Sequence, residues 1–218
     1  MQKIKGVIFD LDGTLIDSMW IWGDVAKDYL KSHGITPRPG FREAIRELNT
    51  SEEAQYYIDE YGVDLPLEEV MTGRDNMMMK YLLSEVKLKP GVLSFLETLK
   101  EQGVVMCIAT ATERRLVEPT LKHLDIAKYF GRVFTCTEEN TSKKSPDIFI
   151  RAVGYLGTEI NETLVVEDAL YAMKTAKETG FLVAGIYDKV ADDHQDEVKK
   201  VCDFYASTSM SQLSKYFA

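Results

Sequence analysis

The 218-residue chain is poor in cysteine: Cys107, Cys136 and Cys202 are scattered, odd in number and not spaced like a metal site. That excludes a disulfide-built scaffold and fits a reducing compartment. Long apolar runs are missing too. No stretch approaches the ~20 residues of a membrane span, and charge at Lys3, Lys5 and Asp10 interrupts any leader-like segment at the start. Positive charge is in deficit, with 26 basic residues against 35 acidic ones. The net charge of −9 argues against a sequence-independent grip on nucleic acid or an anionic membrane. It does not exclude a small anionic substrate, because local groups outweigh a distant field. Histidine is scarce as well; His33, His123 and His194 sit in helical or loop contexts and read as surface residues. No repeat or low-complexity segment occurs. The starting expectation is a cytoplasmic enzyme or binding protein, taken as a monomer, and the composition, 45% hydrophobic and 28% charged, suits a buried core.

What is present changes character along the chain. The opening apolar run Val7-Ile8-Phe9 reads as a strand. Residues 16–87 then read helical nearly throughout. Asp17 or Ser18 caps a helix toward Lys31, the "TSEE" at Thr50–Glu53 has capping-box spacing with Gly62 as a stop, and Pro66 opens a long helix. From "KLKPG" (Lys87–Gly91) onward, short β-rich runs alternate with helical stretches: "VVMCIA", "VFT", "TLVV", "LVAGIY" and "DFYA". Such alternation predicts a parallel sheet with helices on both faces. The expected organisation is an α/β core of residues 1–15 and 88–218, interrupted by an inserted helical cap of residues 16–87. Pro119 marks a kink or a late start in the helix that contains it.

In parallel α/β sheets, ligands bind beyond the carboxyl ends of the strands. The first run ends in Asp10 and Asp12, "VVMCIA" in Thr110-Ala111-Thr112, and "TLVV" in Glu167-Asp168. "VFT" leads through a polar loop to Lys143 and Lys144 ahead of Pro146-Asp147. Four carboxylates, a hydroxyl and an ammonium thus share one edge. Packed carboxylates repel one another, and a divalent cation among them removes the conflict. An all-oxygen set suits Mg²⁺, which completes its shell with water and substrate phosphate; the lack of Cys and His disfavours zinc. Hydroxyl, backbone amides around Thr110-Ala111 and lysine are phosphate partners. The chemistry indicated is Mg²⁺-assisted phosphoryl transfer.

With these motifs in order, DxDGT at Asp10–Thr14, Thr110 after a strand, Lys143 in "KKSPD" and Glu167-Asp168 in "VVED", the chain resembles the haloacid dehalogenase superfamily over nearly its whole length. The resemblance is to the subgroup of β-phosphoglucomutase and many sugar-phosphate phosphatases. It implies a Rossmann-like core with a helical cap, and hydrolysis of a small phosphomonoester such as a sugar phosphate. It implies Asp10 as the nucleophile that becomes an aspartyl phosphate, and Asp12 as the acid and base that moves protons. Thr110 and Lys143 would hold phosphoryl oxygens, with Gly13, Thr14 and Ala111 also at the phosphate. Mg²⁺ would be held by Asp10, the main-chain carbonyl of Asp12, and Asp168, with Glu167 in or just outside its shell. The spacing to Pro146-Asp147 selects Lys143 over Lys144.

Within the family, carbon–halogen cleavage needs no proton donor and its enzymes lack the second Asp; Asp12 is present. The phosphonate-cleaving branch lacks that acid too. Mutases carry a basic "KG" stretch followed by "RE" in the cap, and "FREAIRELNTSEEA" does not reproduce it. The mutase stands as the alternative. So, from another class, does a phosphoacceptor switch of the receiver type, which lacks a helical insert after its first strand. Ala172 stands where the family usually has Gly. Arg42 and Arg46, four apart, share a helix face; they are candidates for a second anionic group on the substrate, or pair with Glu43 and Glu47 at the surface. Trp20, Trp22 and Met77-Met78-Met79 read as packing residues, with one tryptophan a candidate for the pocket lining.

Overall fold

The computed structural model describes residues 3–45, 48–189 and 194–217. Apolar side chains on both faces make a strand central, and in β1 (Gly6–Phe9) every residue is buried. It lies between β2 (Val105–Thr110) and β4 (Thr163–Glu167) in a six-stranded parallel sheet completed by β3 (Val133–Thr135), β5 (Leu182–Ile186) and β6 (Phe204–Ala206). The strand order is β3-β2-β1-β4-β5-β6. Phe9 stands opposite Ile108 on one side and Val166 on the other. One residue later, Asp10 leaves β1 at the level of Ala109 and Glu167, which still pair outward with β3 and β5.

The period of two divides the strands between two layers. Ile8, Cys107, Val165 and Val183 pack with Phe149 and Ala152 of α7 (Asp147–Leu156), Met173 and Ala176 of α8 (Leu170–Thr179) and Val198 of α9 (Gln195–Val201). Phe9 points the other way and meets Phe95 of α5 (Val92–Glu101) edge-on at 6.2 Å. Ala172, where a glycine was the family expectation, is fully buried in the first of these layers. Pro119 lies inside α6 (Arg114–His123), which begins five residues earlier, so it does not mark a late start.

The chain divides into two compact units, Met1–Met19 with Val86–Ala218, and Trp20–Glu85. The second unit is helical: α1 (Met19–Ser32, continuing from the boundary residue), α2 (Phe41–Ile45), α3 (Thr50–Tyr61) and α4 (Leu67–Ser84). Tyr29, Phe41, Tyr57 and Val70 form its apolar centre, with Tyr29 and Tyr57 stacked at 5.9 Å. The capping box sits one residue earlier than the sequence suggested. Asn49 caps α3, accepting from the amides of Ser51 and Glu52, and Glu52 returns to the Asn49 amide. That frees Glu53, which is buried and receives both ends of the Arg74 guanidinium at 3.0 and 2.8 Å. Gly62 ends α3 in the left-handed conformation, as its position implies. Trp20 packs edge-on against Tyr81 and Trp22 lies under Arg74, both within this unit. Among the described residues, no helix is long and apolar enough to cross a membrane.

Candidate active site

The abrupt exit of β1 from an apolar layer delivers Asp10 into a buried site. Its amide stays bonded to Val166 O at 3.0 Å, which fixes the carboxylate relative to β4. Lys143, carried in from the loop after β3, donates to Asp10 and, at 2.5 Å, to Glu167 Oε1. Lys144 is exposed. The other Glu167 oxygen accepts the amides of Asp168 and Ala169, each at 2.9 Å, so both of its oxygens are engaged. Asp168 receives the Thr14 hydroxyl at 3.2 Å.

The turn after Asp10 needs a glycine. Gly13 has φ +80°, and a Cβ there would lie 2.3 Å from Asp168 Oδ2. No side chain fits beside that carboxylate, and left-handed backbone is costly for any other residue. The Gly13 amide donates to Ile16 O at 2.9 Å and closes the turn. Thr14 is fully buried.

Asp12 is placed differently from Asp10. Ser18 Oγ donates to its Oδ1 and Thr112 Oγ1 to its Oδ2, each at 2.6 Å. Ser18, a candidate helix cap in the sequence, thus spends its hydroxyl on Asp12, and α1 starts at the next residue. Thr110 is buried at the end of β2, and its hydroxyl accepts the Thr112 amide at 3.0 Å. Ala111, next to it, is exposed.

Asp10, Glu167 and Asp168 each offer an oxygen within 4.8 Å of the others, all buried. Burial, against the pull of Lys143, pushes the Asp10 carboxyl up to about 7. Burial and the charges of Glu167 and Asp10 push Asp168 well above the usual carboxylate range. Lys143 is held as an ammonium by Asp10 and Glu167 although burial opposes its charge. One ammonium faces three close buried carboxyl groups, and burial resists charging all three without a further cation. An all-oxygen donor set of this kind fits a hard divalent cation.

Arg42 spans Gly23 in the helical unit and pairs with Asp24 at 3.3 Å; Arg46 lies outside the described residues. The three histidines are exposed. Ser18 and the hydroxyl of Thr112 escaped the sequence reading as functional groups. Their only signal there was proximity to a strand end, which many polar residues share.

Comparison with known proteins places this geometry. The family model for haloacid dehalogenase-like hydrolases matches residues 7–186. A phosphorylated-carbohydrate phosphatase of Thermotoga maritima is 25% identical over 178 residues, covering 81% of this chain and 82% of that one. A fructose-1-phosphate phosphatase of Escherichia coli is 24% identical, covering 82% and 94%. In fold, the chain is similar to a β-phosphoglucomutase of Clostridium difficile, with a TM-score of 0.71, 18% identity and coverage of 98% and 97%. The match runs from β1 to the end of β5, through every strand end that carries a site residue, and the chain belongs to the haloacid dehalogenase-like hydrolases.

Proposed function

We propose that the chain is a Mg²⁺-dependent phosphatase that hydrolyses a small phosphomonoester, a sugar phosphate or similar metabolite, through a phosphorylated Asp10. The observation that carries this reading is the contrast between two nearby acids: Asp10 in the buried carboxylate–lysine cluster, and Asp12 held by two neutral hydroxyls. A nucleophile and a proton carrier need different surroundings, and these two have them.

Asp10 attacks phosphorus and the ester P–O bond breaks. The leaving oxygen takes its proton from the Asp12 carboxyl. A water then attacks the phosphoryl group on Asp10, giving its proton back to Asp12, and inorganic phosphate departs with the Asp10 carboxylate restored. The Thr110 hydroxyl and Lys143 ammonium hold phosphoryl oxygens as charge shifts. Asp10, Asp168 and the main-chain carbonyl of Asp12 would hold Mg²⁺, which supplies charge neutralisation at the transferred group. Glu167, with both oxygens engaged, positions Lys143 and the Asp168 backbone. Substrate choice falls to the helical unit, with Arg46 and Arg42 as candidates for the far end of the substrate.

The test pairs two variants with two substrates. Asp12→Asn should slow an alkyl phosphomonoester by on the order of 10²–10⁴ and an aryl phosphate much less in its first step, because a good leaving group needs little protonation. Phosphorylated Asp10 should then accumulate and be seen by acid quench and mass analysis. Asp10→Asn should abolish turnover of both without an adduct. Equal slowing of both substrates by Asp12→Asn, with Asp10 unmodified, would overturn the assignment. A requirement for a bisphosphate with isomerised product would identify a mutase instead.

A further inference from the structure

A second buried ion pair lies in the same unit as the site, and the chemistry above does not use it. Lys89 Nζ donates to Asp188 Oδ2 and to the Tyr187 carbonyl, each at 2.7 Å. Lys89 is 9% exposed and Asp188 4%. Both are tied to the catalytic edge by backbone. Lys89 N donates to Leu15 O at 3.0 Å and Asp17 N to Lys87 O at 2.9 Å, so the Lys89 segment runs along the loop that follows Asp12. Asp188 lies two residues beyond β5, which pairs with β4 through Glu167 and Gly185. It therefore emerges beside Asp168, and its charge is among those that raise the Asp168 carboxyl.

The lysines divide the acids unevenly. Lys143 serves Asp10 and Glu167, and Lys89 serves Asp188. Asp168 has the neutral Thr14 hydroxyl. If the Lys89–Asp188 pair only tied a loop to the sheet, apolar side chains of similar volume would do as well, since buried ion pairs add little net stability over apolar replacements. A buried charge next to Asp168 has a second use: it adds to the attraction that a cation meets there.

We infer that Asp188 is a positioning residue for the divalent cation, its negative charge strengthening the Asp168 side of the site while Lys89 holds it in place and limits its field. This rests on the cation reading of the proposed function. Coulomb attraction between a divalent cation and a carboxylate several ångströms away, in an effective dielectric of about 20, makes its loss worth on the order of tenfold in affinity after partial compensation by Lys89.

The probe is Mn²⁺, titrated into the full chain without substrate and followed by electron paramagnetic resonance of the free ion, with near-UV circular dichroism to show that each variant is folded. Asp188→Asn keeps shape and hydrogen bonding but loses charge, and should weaken Mn²⁺ binding on the order of tenfold. Asp188→Glu, which restores the charge, should recover most of the affinity. Lys89→Gln removes the opposing charge, and should bind Mn²⁺ as tightly as the unmodified chain or more tightly. A purely structural anchor predicts the same direction for both: weakening in Lys89→Gln as well as in Asp188→Asn overturns the inference. So does Asp188→Asn binding within about twofold of the unmodified chain, a margin well inside the expected Coulomb loss. Failure of the unmodified chain to bind Mn²⁺ would overturn the cation reading itself, and this inference with it.

Discussion

Asp10 and Asp12 carry the same functional group two residues apart, and the fold gives each different surroundings. Asp10 meets an ammonium and two further carboxylates; Asp12 meets Ser18 and Thr112, whose hydroxyls occupy one oxygen each. Two short bonds to a charged acceptor leave the Asp12 carboxylate little freedom, and hydrogen bonds to charged groups contribute about 1.5–3 kcal/mol apiece. Orientation of a proton donor matters only where the leaving group needs the proton. Thr112→Val should therefore slow an alkyl phosphomonoester by roughly tenfold and leave an aryl phosphate nearly unaffected. A kcat comparison of the two substrates checks this; equal losses would assign Thr112 to substrate binding or to the fold of the loop.

At the scale of the element, the helical unit is held together by an arrangement that helix periodicity does not announce. α3 and α4 each present a charged residue to the interior, Glu53 and Arg74, which meet in a two-pronged ion pair beside the Tyr57 hydroxyl. Burial, and then the Glu53 charge, hold Tyr57 protonated far above the usual phenol range, so it serves as a donor to Glu53. Arg74→Met would leave Glu53 buried without its cation and should cost about 3–5 kcal/mol, whereas adding Glu53→Gln to it should recover most of the loss. Hydrogen exchange of the α3 and α4 amides in the full chain measures both. A loss below about 1 kcal/mol in the single variant, the level of an exposed pair, would show that the pair is not the tie between these helices.

For the whole molecule, burying several carboxyl groups at one sheet edge opposes folding unless a cation offsets their charge. Asp10 and Asp168 are buried, and their carboxyls are raised by that burial and by the charge of Glu167. A cation that binds the folded chain alone stabilises it by mass action, by about 2.7 kcal/mol at one hundred times its dissociation constant. For a chain of this size that corresponds to a rise of roughly 5–10 °C in Tm. Thermal unfolding with Mg²⁺, against sodium chloride of equal ionic strength, should show this rise, and Asp168→Asn should remove most of it. An equal rise in the variant would place the cation elsewhere.

The parallel sheet and the edge on which the acids gather were legible in the sequence because their signals are local. Val7-Ile8-Phe9 is apolar on both faces, so it reads as a central strand, and the acids and hydroxyls that end such runs fall on one edge whatever the helices do. The Gly62 stop and the helix start after Pro66 are equally local. The capping box was misplaced by one residue because Asn49 and Thr50 both cap helices well, and only the burial of Glu53 against Arg74 chooses between them. The partners of Asp12 and Asp188 were out of reach for a stronger reason. Thr112 lies 100 residues from Asp12, and Lys89 lies 99 from Asp188. Residues so far apart meet only through strand register and the packing of loops at the strand ends. Local pattern determines which side chains reach the edge of the sheet; three-dimensional packing decides which of them touch, because a hydrogen bond depends on ångströms that no periodicity encodes.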